Sequence, residues 1–236
     1  MTERTRASVS RSAREFHVGP SRLVWDGACL AIEFDERGMP LPHRVRGRVR
    51  LHPAGLSTFN AALDERGYHR WGPLAPCARV EVALESPCAR WSGHAYLDSN
   101  EGDEPIDRAF AEWDWSRATL GDGSTAVIYD VRQKAHGDRV LSVRFSPQGE
   151  AAPFAAPERQ ALPRSLWRIS RTMRSDAGVA PRLRDTLEDT PFYTRSVIES
   201  GLLGGRVVSM HETLDARRLA SRTVQLMLPW RMPRVR

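Results

Sequence analysis

Apolar and polar residues alternate along this chain in short runs, and Gly, Pro, Asp or Asn interrupts the runs every 8 to 12 residues. Alternation of period two is the mark of a strand with one buried face, and breaks at this spacing are the rhythm of a sandwich or barrel. Two turns stand out. Asp26-Gly27 separates Leu23-Val24-Trp25 from Cys29-Leu30-Ala31-Ile32-Glu33-Phe34, and Gly121-Asp122-Gly123 separates residues 113–120 from 125–131, so both predict hairpins. Further strands are expected at 44–51, 66–72, 78–85, 89–98, 139–146, 165–173, 192–199, 205–212 and 223–228. Helix is scarce: Pro105 behind Asp103 and Glu104 predicts a short one over 105–111, and a second is expected at 215–220. Residues 151–163 read as a Pro/Ala-rich connector.

Composition narrows the class. With 236 residues, 41% of them hydrophobic, the chain can bury one large core or two modest ones. No apolar stretch approaches the roughly 18 residues of a spanning helix, and Met1-Thr2-Glu3-Arg4-Thr5-Arg6 is not followed by the apolar core of a secretory signal. A cytoplasmic protein is expected, with contact to a membrane surface left open. Cys29, Cys77 and Cys88 are odd in number and lack CxxC spacing, which predicts buried reduced thiols and no zinc cage.

A net charge of +6 and a pI near 9.9 raise nucleic acid or anionic lipid as partners. Lys134 is the single lysine and the acids are spread through the chain, so the charge follows residue usage and no nucleic acid is expected. Arg44, Arg46, Arg48 and Arg50 share one face of their strand. That stripe is either a solvated face or a contact for anionic headgroups. Residues 224–234 mix apolar residues, Trp230 and arginines, as an interface or a last barrel strand with a tail would.

Candidate chemistry gathers on two strands. Alternation puts His94, Tyr96 and Asp98 on one face of 89–98, and His69 and Trp71 on one face of 66–72. With the 78–85 strand between them, a meander would bring His69, Trp71, Tyr96 and Asp98 together inside a barrel or at its mouth. An Asp among aromatic rings has its charged form disfavoured by desolvation and can serve as a general acid. Such a pocket suits protonation of an alkene, whose cation a π face stabilises, followed by attack of water held by a neutral His. Each residue alone has a plainer use, as core aromatic, exposed carboxylate or satisfied histidine. Trp113 and Trp115 also share a face, fit for barrel packing or a ligand wall, and with Trp91 and His94 they complete the candidates for lining the pocket. His69, His94 and His211 have no metal-ligand spacing, and no phosphate loop or nucleophile elbow is present, so neither metal nor cofactor is expected.

At these residues the chain resembles the carotenoid 1,2-hydratases, also called hydroxyneurosporene synthases, of phototrophic bacteria. The resemblance rests on Trp91-Ser92-Gly93-His94-Ala95-Tyr96-Leu97-Asp98-Ser99-Asn100, Gly102-Asp103-Glu104-Pro105, Phe110-Ala111-Glu112-Trp113-Asp114-Trp115-Ser116-Arg117-Ala118, Leu187-Glu188-Asp189-Thr190-Pro191-Phe192-Tyr193 and Gln225-Leu226-Met227-Leu228-Pro229. It extends to Tyr68-His69-Arg70-Trp71 and Arg79-Val80-Glu81-Val82, and so over most of 18–234. It implies a cofactor-independent hydro-lyase that adds water to the terminal C1–C2 double bond of acyclic carotenoids such as neurosporene and lycopene. It also implies an all-β fold of two lipocalin-like β-barrel halves with few short helices. The family's His-x-Trp and Tyr-x-Asp pairs fall on His69 and Trp71 and on Tyr96 and Asp98. The roles expected are proton transfer to C2 from Asp98, cation stabilisation by Trp71 and Tyr96, and water handling by His69. A cell making such pigments would hold the protein in the cytoplasm or against its inner or photosynthetic membrane. Met1-Thr2-Glu3-Arg4 resembles an interior stretch of family members, so the first half is expected to be incomplete: a tail at 1–20, the remainder of the first half at 21–108, and a second barrel at 109–236. A non-catalytic lipocalin-like binder of a polyene or lipid, or a barrel that isomerises or cyclises its substrate, would use the same pocket.

Overall fold

The structure is a computed structural model that describes residues 3–38, 42–231 and 234–235. Strands make up 59% of it and helices 8%, as the alternating pattern predicts. The chain packs as two compact units, one of residues 1–54, 78–96 and 225–236, the other of 55–77 and 97–224. The units are discontinuous in sequence, whereas the sequence suggests continuous segments divided at 20/21 and 108/109.

The first unit is an antiparallel meander of Val9–Arg11, Glu15–Val18, Ser21–Trp25, Leu30–Arg37 and Arg44–Pro53, continued by the 78–86 part of His69–Ser86 and by the start of Cys88–Gly102. The Asp26-Gly27 turn forms as predicted: the Asp26 carboxylate accepts from the backbone N–H of Ala28 at 2.8 Å and of Cys29 at 2.7 Å, and Gly27 takes φ +105°. The arginine stripe lies on the outer face of Arg44–Pro53, and three of its four arginines are ion-paired. Arg44 bonds Asp35 at 2.6 Å, Arg46 bonds Glu85 at 3.0 Å and Arg48 bonds Glu33 at 2.7 Å.

In the second unit a seven-stranded antiparallel sheet runs in the spatial order Ala151–Pro153, Arg139–Phe145, Thr125–Gln133, Phe110–Thr119, Gly205–Asp215, Tyr193–Leu202, Arg182–Asp189. Register sets Trp113 opposite Val131 and Leu214, and Trp115 opposite Tyr129 and Glu212. One face therefore carries Trp113, Trp115, Tyr129 and Glu212, and the other carries Asp114, Asp130, His211 and Thr213. A two-stranded ribbon, Arg159–Leu162 with Arg171–Arg174, covers the second face. There Leu162, Met173 and Ile198 form a small core, and Thr172 donates to Asp114 at 2.6 Å.

Several expectations need correction. Residues 66–72 and 78–85 are one continuous strand, His69–Ser86, and Cys88–Gly102 returns directly beside it, so no strand separates the two candidate clusters. Only Arg171–Arg174 of the 165–173 strand forms; Arg168 at φ +59° turns the chain, and its N–H bonds Ser165 O at 2.9 Å. Residues 223–228 lie in a helix, Arg222–Arg231. Arg, Gln, Leu and Met favour helix over the strand signal of one Val, and Ser221 Oγ accepts from Val224 N at 3.4 Å. The helix expected over 105–111 is a single turn, Ile106–Ala109, because buried Phe110 starts the next strand. The stretch expected as a tail contains the strands Val9–Arg11 and Glu15–Val18, whose first five residues (9–11, 15 and 16) are exposed, which weakens any in-out alternation. The connector 151–163 contains Ala151–Pro153 and Arg159–Leu162. Cys29 and Cys77 are buried, and Cys88 is exposed.

Candidate active site

The site lies in the second unit, in a cavity of about 420 Å³. Its walls include His69, Asp98 and Asn100 from the paired strands, Glu104 from the bend that follows them, and Phe110, Trp113, Trp115, Tyr129, Tyr193 and Glu212 from the sheet and its approach. Adjacency of His69–Ser86 and Cys88–Gly102 brings Trp71 beside Asp98, and the Asp103 N–H bonds Tyr68 O at 2.9 Å where the pair opens.

Trp71 is fully buried and donates its indole N–H to Asp98 Oδ2 at 2.9 Å. Its ring meets Phe59, Tyr129 and Phe145 edge-on, with centroids 5.8, 5.7 and 6.2 Å away. It stands behind Asp98 and is not among the cavity-lining residues, whereas Trp113 and Trp115 are. The Trp113 indole N–H is buried without a hydrogen-bond partner.

His69 is buried against Phe110, with centroids 4.7 Å apart. Its Nε2 lies 3.1 Å from Glu104 O, and a carbonyl only accepts, so the proton sits on Nε2. Nδ1 lies 3.7 Å from Asp64 Oδ2, while Asp64 Oδ1 accepts the His69 backbone N–H at 2.9 Å. Both ring nitrogens thus face protein groups. His69 Nε2 holds the Glu104 carbonyl, and its Nδ1 is buried without a hydrogen-bond partner on the Asp64 side.

Tyr96 is half-buried and ends the 78–96 segment of the first unit; along its own strand it shares a face with half-buried Asp98. Trp91 and His94, expected as lining, are exposed and are not among the lining residues. A strand rises about 3.3 Å per residue. Four residues from His94 to Asp98 are too far for one pocket end to collect both.

Burial, with Asp98 and then Glu212 as charged neighbours, pushes the Tyr129 phenol well above its ordinary value, and its hydroxyl lies 3.5 Å from Asn100 Oδ1. Burial first and Glu212 second do the same to Tyr193. Glu212 Oε1 accepts from Arg195 Nε at 2.9 Å. Glu212, Tyr129 and Tyr193 went unnoticed in the sequence because their relation to Asp98 depends on which distant strands pair. Asp64 had a faint local signal, an Asp two residues ahead of the Arg66-Gly67 turn. Among the described residues no cluster of His, Cys, Asp and Glu is arranged to hold a metal.

The sequence profile of the carotenoid hydratase CrtC family matches residues 1–236. This chain belongs to the carotenoid hydratase CrtC family. It is 62% identical over 234 residues to an acyclic carotenoid 1,2-hydratase of Rubrivivax gelatinosus, covering 99% of this chain and 58% of that protein. It is 48% identical over 236 residues to the acyclic carotenoid 1,2-hydratase of Thiocapsa roseopersicina, again 58% of its length, and 36% identical over 235 residues to that of Cereibacter sphaeroides, 84% of its length. The chain therefore spans under two thirds of the first two relatives. Among solved structures, an AttH candidate from Nitrosomonas europaea matches with a TM-score of 0.57 at 15% identity, over 89% of this chain and 72% of that one. That likeness bears on fold alone, and the fold is the all-β, lipocalin-like one expected for the family.

Proposed function

We propose that this chain is a carotenoid 1,2-hydratase, adding water across the terminal C1–C2 double bond of an acyclic carotenoid such as neurosporene or lycopene, with no cofactor. The observation that carries the reading is Asp98, bonded by the Trp71 indole N–H at the wall of a cavity otherwise rich in aromatic rings. Asp98 gives its proton to C2, and the positive charge left at C1 lies against Trp113 and Trp115, a contact worth roughly 2 kcal/mol or more once water is excluded. The Trp71 N–H then stabilises the carboxylate that donation leaves. Only the chain end need enter, which suits a cavity of about 420 Å³ and a substrate much longer than the site.

So apolar a substrate is carried in a membrane, and we place the protein at the cytoplasmic face of the inner or photosynthetic membrane. Support for that placement comes from the 164–168 turn, where Leu166 and Trp167 are 93% and 49% exposed between Arg164 and Arg168.

Asp98→Asn keeps an oxygen for the Trp71 N–H and removes the acid. With lycopene in detergent, the native protein is expected to yield a product heavier by one water, and the variant to lose roughly 100- to 10,000-fold in rate. Near-normal hydration by the variant would sink the acid assignment. A bound but unchanged pigment on the native protein would mean a binder.

A further inference from the structure

Hydration of an alkene needs a base as well as an acid: water bonded to C1 as an oxonium must lose a proton before product leaves. His69 is poorly placed for this, since its Nε2–H is committed to Glu104 O and its Nδ1 faces Asp64. The sheet wall holds a carboxylate the expected set of residues does not use. Glu212 comes from Gly205–Asp215, opposite Trp115 on one neighbouring strand and Arg195 on the other, and it lines the cavity that Asp98 also lines. Its bond to Arg195 engages one of its two oxygens. Beside it, the Tyr193 hydroxyl is buried without a hydrogen-bond partner, although Tyr193 also lines the cavity. An ion-paired carboxylate and an unsatisfied hydroxyl at one wall, beside the Trp113 and Trp115 rings, make a polar seat for a water molecule.

Resting on the hydratase reading, we propose that Glu212 is the base of this site and that Tyr193 positions the attacking water. The Asp98 O–H bond breaks as the π pair forms the C2–H bond. Water oxygen then bonds to C1, and its O–H bond breaks as Glu212 takes the proton. The site is left with Asp98 ionised and Glu212 protonated. Proton exchange with solvent then returns Asp98 and Glu212 to their starting states. Two carboxylates in different surroundings, one against an indole N–H and one against a guanidinium, are a recurrent way to hold an acid and a base at one pH.

The test runs the chain on lycopene micelles in D2O and reads both hydrated product and deuterium in the terminal unit of recovered lycopene. Glu212→Gln is expected to lower hydration about 100-fold or more while deuterium still enters recovered lycopene, because protonation by Asp98 and its reversal survive. Asp98→Asn is expected to show neither. Tyr193→Phe is expected to lower hydration about 10-fold with exchange kept. Glu212→Gln hydrating within about threefold of the native rate overturns the proposal, as does loss of hydration and exchange together in a variant that still melts cooperatively. If Glu212→Gln does not fold, Glu212→Asp keeps the negative charge and is expected to show the same split more mildly; equal loss of both signals overturns the proposal. A native chain that neither hydrates nor exchanges fails at the hydratase reading itself, a result distinct from failure of the Glu212 assignment.

Discussion

Trp71 earns its place through one atom. Its ring is fixed by edge contacts to Phe59, Tyr129 and Phe145, and its N–H ends on Asp98. Trp71→Phe keeps much of the aromatic contact and deletes the donor. Hydration is expected to fall about 10-fold, with a stability loss of about 1–3 kcal/mol in urea melts; an unchanged rate would mean that the bond does not serve the acid. Alternation along a strand was enough to put His69 with Trp71 and Tyr96 with Asp98, because that pairing is local. It could not set what each side chain touches. Whether an indole shows its face to a cavity or its N–H to a carboxylate depends on packing partners such as Phe145, 74 positions from Trp71 in sequence (145 − 71). Glu212 is the sharper case: nothing around it marks it, and only the pairing of Phe110–Thr119 with Gly205–Asp215 sets it opposite Trp115.

Elements were legible where the signal was a turn and hidden where it was continuity. Asp26-Gly27 and Gly121-Asp122-Gly123 impose their hairpins locally, whereas the strand through Gly72 and Pro73 carries the very residues that suggest a break. The ribbon-covered face of the seven-stranded sheet gives an element-level prediction. Thr213 Oγ1 donates to Asp114 Oδ1 at 2.5 Å and so accepts from His211 Nε2, 3.3 Å away. Burial lowers the pKa of His211, against the pull of Asp114 and with the aid of Arg171 and Arg132. The unfolded state, near the ordinary value of about 6.5, binds the proton first. A folded pKa below the unfolded one contributes stability above about pH 6.5, and that contribution is lost as pH falls toward the folded pKa. His211→Gln is expected to flatten the stability slope below pH 6.5 by up to about 1.4 kcal/mol per pH unit. Urea melts at pH 7.0, 6.0 and 5.0 measure it, and parallel native and variant slopes would contradict it.

At the scale of the whole molecule, composition described the charge but not its arrangement. Local pattern could not show that His69–Ser86 and Cys88–Gly102 each contribute residues to both units, since each reads as ordinary strand throughout. Likewise the net charge of +6 suggests a basic surface at Arg44, Arg46 and Arg48, yet those three arginines pair with Asp35, Glu85 and Glu33, the last shared with Arg22. Exposed pairs contribute little stability, but they cancel the field that would draw anionic lipid. Arg164 and Arg168 differ, because no ion pair to either is found among the described residues, and they flank the exposed Leu166 and Trp167. The turn itself is held firmly: Leu166 N–H bonds Asp189 Oδ2 at 2.7 Å, and Arg218 bonds Trp167 O at 2.7 Å and Arg168 O at 3.2 Å. An arginine near an anionic surface is worth about 1 kcal/mol. Arg164→Gln with Arg168→Gln is therefore expected to weaken binding to phosphatidylserine-containing vesicles about 10- to 30-fold, and less so as salt rises. Changing Arg44, Arg46 and Arg48 together to Gln is expected to alter it by no more than about twofold, because that strand face is not the one placed against the vesicle and charge away from the contact is screened by salt. Co-sedimentation at 50 and 300 mM salt, concentrations chosen to bracket a Debye length of about 10 Å, separates the two. Loss of binding in the triple variant with retention in the double one would put the lipid contact on the strand face and not on the turn.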